Sequence, residues 1–499
     1  MSTGVLIVRL THNYHSDLIK ELINNGLPVR LVAISDRIEY QPDKLDSFLN
    51  NNKLNAFNYE PLYRPDTFEK IYKPNYQKLD NKLLEKISFY KDLFLVATDR
   101  NCFFPISAYE RSRLFIKYLM HFFELINTNK IDNIIFFGIP HGPWSIALWG
   151  LAKGLNINIM YTSGVDIDTQ LTTIETDLIV NRKYIKDLDV IGTLVNEKSP
   201  QIVRGILKNK MKKINFTKEY EERKMCIHKN IHKLYLKRVA SLIFKKPLST
   251  YISSEFDLNI NRRMRISCAI PLLKHYLNVL KAKKFYKSKS TKNLPNKDSV
   301  VLFLHVQPEA ALIPTGGFFY DQLLILDLIL EALPNDMNVF VKEHPWQFES
   351  IGEDKHERSI DFYKYLIKDK RVKLLDRSIP SSEIIKKAGA IVSNSGNVSW
   401  ESILIGRPSI VFGWSWFIDC KSCYVVDSVK TLRKAISKSR SISADEVFKD
   451  RDDFIKKLEK RLIYGAYDDY ILPDLAKDYD YEEGIRSLGK ALTMICENK

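Results

Sequence analysis

Short apolar runs alternate with helical stretches from residue 299 to the end of the chain. Such alternation, with polar residues closing each run, is typical of a parallel sheet covered by helices on both faces. We predict strands at Val300–His305, Asn338–Lys342, Val372–Leu375, Ala390–Ser393, Ser409–Phe412 and Tyr424–Val426. We predict helices at Asp321–Ala332, Ser382–Ala388, Val398–Ile405, Val429–Ser437, Asp452–Leu462 and Tyr481–Cys496. The pattern therefore predicts a doubly wound α/β sheet.

The first part of the chain repeats this pattern less regularly. Apolar runs at Gly4–Arg9 and Val29–Ser35 enclose a helical stretch at Ser16–Asn25. A second such unit has runs at Asn133–Phe137 and Ile157–Thr162. We predict a Rossmann-like domain over residues 1–195, with a less regular insert from Tyr40 to Leu95.

Length and charge indicate how the chain is divided. A chain of 499 residues is longer than one hydrophobic core usually serves, so we expect two domains. The net charge of +16 is concentrated between Val203 and Leu294, which hold 24 basic and 5 acidic residues. Helical, Lys-rich patterns occur there at Phe216–Phe244 and Pro271–Tyr286. We predict a basic helical connector over residues 196–296, which is either a solvated face or a surface that approaches anionic lipid.

Targeting signals and cysteines indicate a cytoplasmic protein. No stretch reaches the roughly 18 apolar residues of a membrane span, and Met1–Leu10 lacks the features of a signal peptide. The six cysteines are widely scattered, which favours reduced thiols. Cys420 and Cys423 form one CxxC without a second ligand pair, so we expect a buried pair rather than a zinc site.

Polar residues follow the predicted strands of the second sheet. Ligands of an open parallel sheet lie beyond the carboxyl ends of its strands, so these residues are candidates for a binding site. They fall in three groups along the chain: Gln307, Pro308 and Glu309 with Thr315, Gly316 and Gly317; Glu343, His344 and Pro345; and Ser393, Asn394, Ser395 and Gly396, followed by Glu401.

These residue types suit a nucleotide phosphate. A Ser-Asn-Ser-Gly turn at a helix start offers hydroxyls and backbone N–H groups, and the helix dipole favours an anion there. Ordinary helix capping would use the same residues. His344 could donate to a phosphate oxygen and, when cationic, offset charge on a leaving nucleotide. A partly buried histidine at a turn is the plain alternative, but its coincidence with the serine turn favours a phosphate site.

Taken together, the motifs between residues 299 and 415 resemble those of capsule polysaccharide biosynthesis proteins. They are similar, more distantly, to bacterial sialyltransferases and CDP-glycerol polymerases. The motifs are Gln307-Pro308-Glu309, Gly316-Gly317, Asp321-Gln322, Val341-Lys342-Glu343-His344-Pro345, Ser393-Asn394-Ser395-Gly396 and Glu401. The resemblance implies a GT-B glycosyltransferase, with two Rossmann-like domains facing a cleft, that needs no cofactor or metal.

The same resemblance implies a substrate class and residue roles. It implies transfer of a CMP-activated acid sugar, such as Kdo or a nonulosonic acid, to a surface or capsular polysaccharide. His344, Ser393 and Ser395 would contact phosphate, and Glu401 the ribose or neighbouring donor groups. Gln307, Gly316, Gly317, Asn394 and Gly396 would line the same nucleotide-sugar site. Residues 1–195 would hold the acceptor and residues 297–480 the donor, followed by a helix over 481–499.

The nucleotide base and the catalytic base stay open. A serine-glycine turn with a following glutamate and the stop Gly406-Arg407-Pro408 also occurs in GT-B enzymes that use UDP-sugars. In the first domain, Asp99 and His141 are candidate catalytic residues, since His141 follows a predicted strand and could deprotonate an acceptor hydroxyl. It could equally belong to a plain turn. We discount a metal site at Asp166-Ile167-Asp168, because such pairs are common in charged loops.

Two other functions compete with the transferase. One is a GT-B-folded epimerase acting on a UDP-amino sugar, which shares the serine-glycine turn and the glutamate. The other is a non-enzymatic scaffold for polysaccharide assembly, or a nucleic-acid binder, that uses the basic connector. Aromatic residues are sparse between its lysines, which makes nucleic acid the weaker partner. The chain lacks a dinucleotide-binding glycine motif, a P-loop and a nucleophile elbow, which disfavours a dehydrogenase, kinase or hydrolase.

Overall fold

Two seven-stranded sheets organise the part of the chain that the computed structural model describes. The described residues are 4–10, 13–34, 42–59, 80–101, 107–176, 190–195, 199–212, 240, 262–307, 312–345, 347–348, 358–467 and 479–497. The chain divides into a first unit of Met1–Thr98, Ser107–Lys213 and Ile455–Lys499 and a second unit of Asp99–Ile106 and Ile214–Phe454. The two units are described separately below.

The first unit contains a mixed sheet with the strand order β14-β6-β5-β4-β1-β2-β3. Its strands are β1 (Gly4–Leu10), β2 (Val29–Ile34), β3 (Asn55–Asn58), β4 (Ile131–Phe136), β5 (Asn158–Val165), β6 (Asp168–Glu175) and β14 (Ile463–Tyr464). The pairs from β5 to β3 are parallel, whereas β6 runs antiparallel to both β5 and β14. The central strands are rich in Val and Ile because helices cover both of their faces.

Helices of the first unit bury its core. They are α1 (Asn13–Asn24), α2 (Pro42–Asn51), α3 (Asn81–Lys86), α4 (Ser88–Asn101), α5 (Ala108–Asn129), α6 (Pro143–Gly154), α7 (Ile191–Val195), α8 (Ser199–Lys212) and α16 (Tyr481–Glu497). One apolar cluster joins α1, the centre of the sheet and α16, with Leu18, Ile135 and Leu488 fully buried within it. The C-terminal helix therefore completes the core of the N-terminal unit.

The C-terminal boundary of the second unit differs from the one predicted from the sequence, because the chain returns to the first unit earlier. We expected the second domain to extend to residue 480, but β14 pairs with β6 and residues from Ile455 onward group with the first unit. A buried ion pair between Arg461 and Glu175, with 2.5 Å between Nη2 and Oε1, fixes this return. A two-residue strand carries too little pattern to be predicted.

The second unit contains a fully parallel sheet with the order β13-β12-β11-β8-β9-β10-β7. Its strands are β7 (Ser290–Thr291), β8 (Val300–Phe303), β9 (Val339–Lys342), β10 (Val372–Leu375), β11 (Ala390–Ser393), β12 (Ser409–Val411) and β13 (Cys423–Val425). Phe303 pairs with Lys342 on one side and with Ser393 on the other, so β8, β9 and β11 end at one level.

Helices cover both faces of this parallel sheet. They are α9 (Arg262–Lys289), α10 (Gln322–Ala332), α11 (Ile360–Leu366), α12 (Ser381–Lys387), α13 (Asn397–Leu404) and α14 (Val429–Ser441), with α15 (Ala444–Arg461) leading into the first unit. The larger apolar cluster lies between α9, α10, α14 and one face of the sheet. A smaller one joins α12 to the other face.

The prediction of an α/β chain with doubly wound sheets is confirmed by these topologies. The predicted strands of the second sheet, and the helices predicted between them, lie within a few residues of the observed bounds. The helix predicted from Asp452 begins earlier, at Ala444. The Lys-rich stretch predicted at Phe216–Phe244 lies outside the described residues apart from residue 240, whereas Pro271–Tyr286 lies within α9. Among the described helices, none is long and apolar enough to cross a membrane.

Candidate functional site

The second sheet has its topological switch point between β8 and β11. From β8 the chain builds the sheet outward through β9 and β10, and then crosses back to place β11, β12 and β13 on the other side. Connections leaving β8 and β11 therefore run in opposite directions, an arrangement that in open α/β sheets creates a crevice at the carboxyl ends of the strands. Open α/β sheets bind their ligands at this point.

His305 bridges the two strands at the switch point. It follows β8, and its Nε2 accepts the backbone N–H of Ser395, which follows β11, at 3.1 Å. The imidazole is buried, and a Cβ atom on Gly396 would lie only 3.0 Å from Nε2. Glycine at position 396 therefore lets the histidine approach the turn closely. An imidazole that accepts at Nε2 carries no proton there.

Ser393 shapes the serine turn from inside. Its hydroxyl is fully buried, contacts the Ser399 hydroxyl at 2.8 Å and accepts the N–H of Gly396 at 3.2 Å. Ser393 lies three residues before Gly396, the N-cap of α13, and that helix has no side-chain cap bond, so the Ser393 hydroxyl closes the turn itself. Because the amides of Ser395 and Gly396 both donate within the protein, an anion at this turn would rely on the following N-terminal turn of α13 and on the Ser395 side chain.

The glycine loop packs against Asn394. Its Nδ2 donates to the carbonyl of Phe319 at 2.6 Å, and a Cβ atom on Gly316 would lie 2.7 Å from Nδ2. Gly317, with φ of +56°, begins a short 3-10 helix that ends at Tyr320. The structure therefore brings Gly316, Gly317 and Asn394 together beside the serine turn.

A buried carboxylate holds the end of β9. Glu343 is fully buried, and its Oε2 accepts from Arg358 Nε at 3.0 Å and from the Tyr363 hydroxyl at 2.5 Å. Its Oε1 accepts the backbone N–H of His344 at 2.7 Å. These bonds fix the backbone of His344, whose side chain is partly exposed.

Arg358 connects the ends of β8 and β9. Besides its ion pair with Glu343, it donates through Nη2 to the His305 carbonyl at 2.9 Å and through Nη1 to Gln307 Oε1. Gln307 also exchanges two hydrogen bonds with Gln347, of 2.8 and 3.0 Å. Gln307 is thus a buried link between the strand-end loops.

Tyrosine hydroxyls complete this network in their protonated form. Burial, reinforced by the charge of Glu343, raises the pKa of both Tyr286 and Tyr363 well above the ordinary range. Tyr286 donates to the Leu375 carbonyl at 2.6 Å and accepts the N–H of Glu343 at 3.1 Å. The network therefore reaches from β8 across β9 to β10.

The predicted site residues fall into two layers of one sheet edge. Gln307, Ser393, Asn394 and Ser395 are buried, whereas His344 and Glu401 are partly exposed. Glu401 lies on α13, at the start of its second turn. The sequence did not predict His305 or Arg358 as site residues. A histidine ending the strand at the switch point was the available signal for His305, whereas Arg358 lies in a stretch without a regular pattern.

The candidates predicted in residues 1–195 lie on different elements, and Asp99 groups with the second unit. His141 is exposed in the turn after β4, and its Nδ1 lies 2.9 Å from the Ile139 carbonyl. Asp99 belongs to α4, and its side chain is outside the described part of the structure. Asp168 caps the β5–β6 turn, because its Oδ1 accepts from the N–H of Gln170 at 3.0 Å.

The cysteine pair is a buried structural feature. Cys420 and Cys423 are both free thiols in the core of the second unit, and burial raises the pKa of Cys420 to about 11 and that of Cys423 further. Within the described ranges, no group of three or more His, Cys, Asp or Glu residues is arranged to hold a metal ion.

Comparison with known proteins gives one family match and several distant structural likenesses. No curated protein matches the chain. Similar solved structures include UDP-GlcNAc 2-epimerase of Methanocaldococcus jannaschii, at 12% identity over 89% of this chain and 94% of that chain, with a TM-score of 0.25. The wall teichoic acid polymerase TagF is 10% identical over 99% of this chain and 90% of that chain, with a TM-score of 0.22. A UDP-glucosyltransferase of Polygonum tinctorium is 11% identical over 100% and 99%, with a TM-score of 0.22.

The family match covers the strand-end motifs. The family model described as capsule polysaccharide biosynthesis protein matches residues 183–419, a range that includes the motifs from Gln307 to Glu401. The resemblance that these motifs predict is thereby confirmed: over residues 183–419, the chain matches the capsule polysaccharide biosynthesis proteins.

Proposed function

We propose that this protein is a glycosyltransferase that moves a sugar from a nucleotide-activated donor to a glycan or lipid-linked glycan acceptor. The observation that carries the proposal is the bridge from His305 to the Ser395 amide at the switch point of the second sheet. It sets a polar turn and a helix N-terminus at the place where such sheets bind nucleotides. The match of residues 183–419 to capsule polysaccharide biosynthesis proteins supports the glycan acceptor.

We assign the donor to the second unit. The Ser395 hydroxyl and the N-terminal turn of α13 would bind its phosphate, and Glu401 the ribose or neighbouring groups. The proposed donor is a CMP-activated acid sugar such as Kdo or a nonulosonic acid. The support for cytidine is the combination of His344-Pro345 with the serine turn, which resembles the cytidine-nucleotide families.

His344 has the electrostatic role in this proposal. During transfer, the bond between the anomeric carbon and a phosphate oxygen breaks, and the nucleotide leaves with the electron pair. The acceptor oxygen bonds to the anomeric carbon, and its proton passes to a base, for which His141 and Asp99 are the candidates. A cationic His344 and the dipole of α13 would stabilise the charge on the departing phosphate without a metal ion.

The acceptor is proposed to be a growing surface or capsular polysaccharide, either free or linked to lipid. In the second case the enzyme would work at the cytoplasmic face of the membrane. The basic connector over residues 196–296 supports this location, because clustered Lys and Arg side chains are attracted to anionic lipid.

Product analysis tests the proposed reaction. Purified full-length protein is incubated with CMP-Kdo, a CMP-nonulosonic acid or UDP-GlcNAc, with and without a capsular oligosaccharide acceptor, and in the presence of a chelator. We expect acceptor-dependent release of CMP and an elongated glycan that survives chelation. Turnover of UDP-GlcNAc without acceptor would instead identify an epimerase, and the absence of turnover with every donor would contradict the transferase.

A further inference from the structure

The helix α9 is strongly basic. Its 28 residues, Arg262–Lys289, include nine Lys and Arg residues and no Asp or Glu. Near its C-terminal end the helix packs against the second unit through Ala282 and Tyr286, which are buried in the apolar cluster beneath the sheet. Several of its described side chains on the opposite side are exposed.

The outward side carries an apolar stripe. Ile270, Leu273 and Leu277 are 53%, 39% and 45% exposed. At 3.6 residues per turn they lie within about 60° of one another and on the side opposite Ala282 and Tyr286. Single exposed apolar residues are common on protein surfaces, but three in register on one helix form a patch.

Basic side chains continue the same face. Lys274, Lys281 and Lys284 are exposed and lie on the outward side, with Lys274 beside the apolar stripe and the other two beyond its end. Within the part of the chain that the structure describes, none of the three has an ion pair. We name Ile270, Leu273, Lys274, Leu277, Lys281 and Lys284 the lipid-docking face.

We infer that this face binds the surface of an anionic lipid bilayer, with the apolar stripe entering the headgroup boundary and the lysines contacting lipid phosphates. A helix with an apolar stripe beside unpaired lysines matches both the interior and the charge of such a surface. A polyanionic glycan would use the lysines alone and leave the leucines in water. The inference rests on the proposed function in one respect: access to a lipid-linked acceptor is the reason for this protein to bind a membrane.

Vesicle flotation of the full chain tests the inference. The vesicles contain phosphatidylcholine alone or with phosphatidylglycerol. One variant combines Leu273→Gln with Leu277→Gln, and a second combines Lys274→Gln, Lys281→Gln and Lys284→Gln. The matched control combines Lys430→Gln with Lys434→Gln, which removes two exposed lysines of α14 on the same unit.

We expect the wild type to float only with phosphatidylglycerol. The leucine variant should lose about tenfold in partitioning at both low and high salt, because its lost contact is apolar. The lysine variant should lose about fivefold for each lysine at low salt. The control should bind like wild type, and every variant should keep its melting temperature; if the leucine variant melts early, the lysine variant carries the test.

Three results would overturn the inference. They are no flotation of the wild type with phosphatidylglycerol, with or without retention on an anionic polysaccharide; an equal loss in the α14 control; and wild-type binding by both lipid-docking variants. CMP affinity of the same variants, measured without vesicles, tests the proposed function separately. Since α9 is not part of the donor site, CMP binding without flotation would contradict the membrane inference alone.

Discussion

At the scale of single residues, His305 determines how the serine turn is held. Its Nε2 accepts the Ser395 amide, and its own carbonyl is held by Arg358. We propose that it is a positioning residue, because it orients the turn through a hydrogen bond rather than by contact with the donor.

Replacing His305 separates this role from simple packing. His305→Ala removes the acceptor and should weaken CMP binding about threefold to tenfold, the effect of one lost hydrogen bond. His305→Gln retains an acceptor oxygen and should recover most of the affinity. Calorimetric titration with CMP, alongside melting curves, measures both. Equal affinity in wild type and the alanine variant, or no difference between alanine and glutamine, would show that the histidine only fills space.

Residue types at the strand ends were predictable because their chemistry is local. The serine turn and His344 could be recognised from the residues that close each apolar run. The bridge from His305 to the Ser395 amide joins residues that are 90 positions apart in the sequence. Their partners could therefore not be read from spacing alone.

At the scale of elements, the ends of β8 and β9 are joined by the buried pair of Arg358 and Glu343. The two side chains are almost fully buried, and the pair has further hydrogen bonds to Tyr363, Gln307 and the His305 carbonyl. Burial of two charges is tolerated here because nearly every donor and acceptor has a partner.

Breaking this pair from one side should be costly. Glu343→Gln leaves the Arg358 charge buried and unpaired, and we expect a loss of about 3 to 5 kcal/mol in the free energy of unfolding. Combining Arg358→Met with Glu343→Leu removes both charges and should cost less than Glu343→Gln. Urea unfolding of the two variants and wild type tests this order. A double variant less stable than the single one would show that the charges stabilise the fold directly.

Elements of the second sheet were predictable because its strands are buried on both faces. Short, largely apolar runs mark β8 to β12 closely. The hairpin of β5 and β6 was missed in part, since β6 is polar at Asp168, Thr169 and Gln170. There the Asp-Ile-Asp triplet forms a turn, a role that the hydrogen bond of Asp168 to Gln170 makes plain.

At the scale of the whole molecule, the chain crosses between units more often than its sequence indicates. It starts in the first unit, builds the second, and returns to the first with β14 and α16. Helix periodicity predicted the bounds of α16 but not the unit in which it packs, because its packing against α1 depends on contacts between distant parts of the chain.

A histidine of the first unit should make the fold sensitive to acid. Burial lowers the pKa of His121 to about 4, against an ordinary value of about 6.5. Between these values the unfolded chain binds more protons than the folded chain, so stability is present above pH 6.5 and is lost as the pH falls toward 4.

Removing this titratable side chain should reduce the loss of stability as the pH falls. His121→Gln is expected to reduce the slope of melting temperature against pH between about 6.5 and 4, the window set by this shift. His141→Gln, in an exposed turn, is the control and should leave the slope unchanged. An identical slope of melting temperature against pH in wild type and His121→Gln would contradict the assignment of the acid sensitivity to His121.

Calorimetric titration of wild type and Ser395→Ala with CMP tests the central claim most directly. A nucleotide site at the switch point predicts that wild type binds CMP, and that removal of one hydroxyl donor to phosphate weakens binding by about 1 to 2 kcal/mol at an unchanged melting temperature. No binding of CMP, CDP, UDP or GDP by wild type, or equal CMP affinity in a stably folded Ser395→Ala, would contradict it.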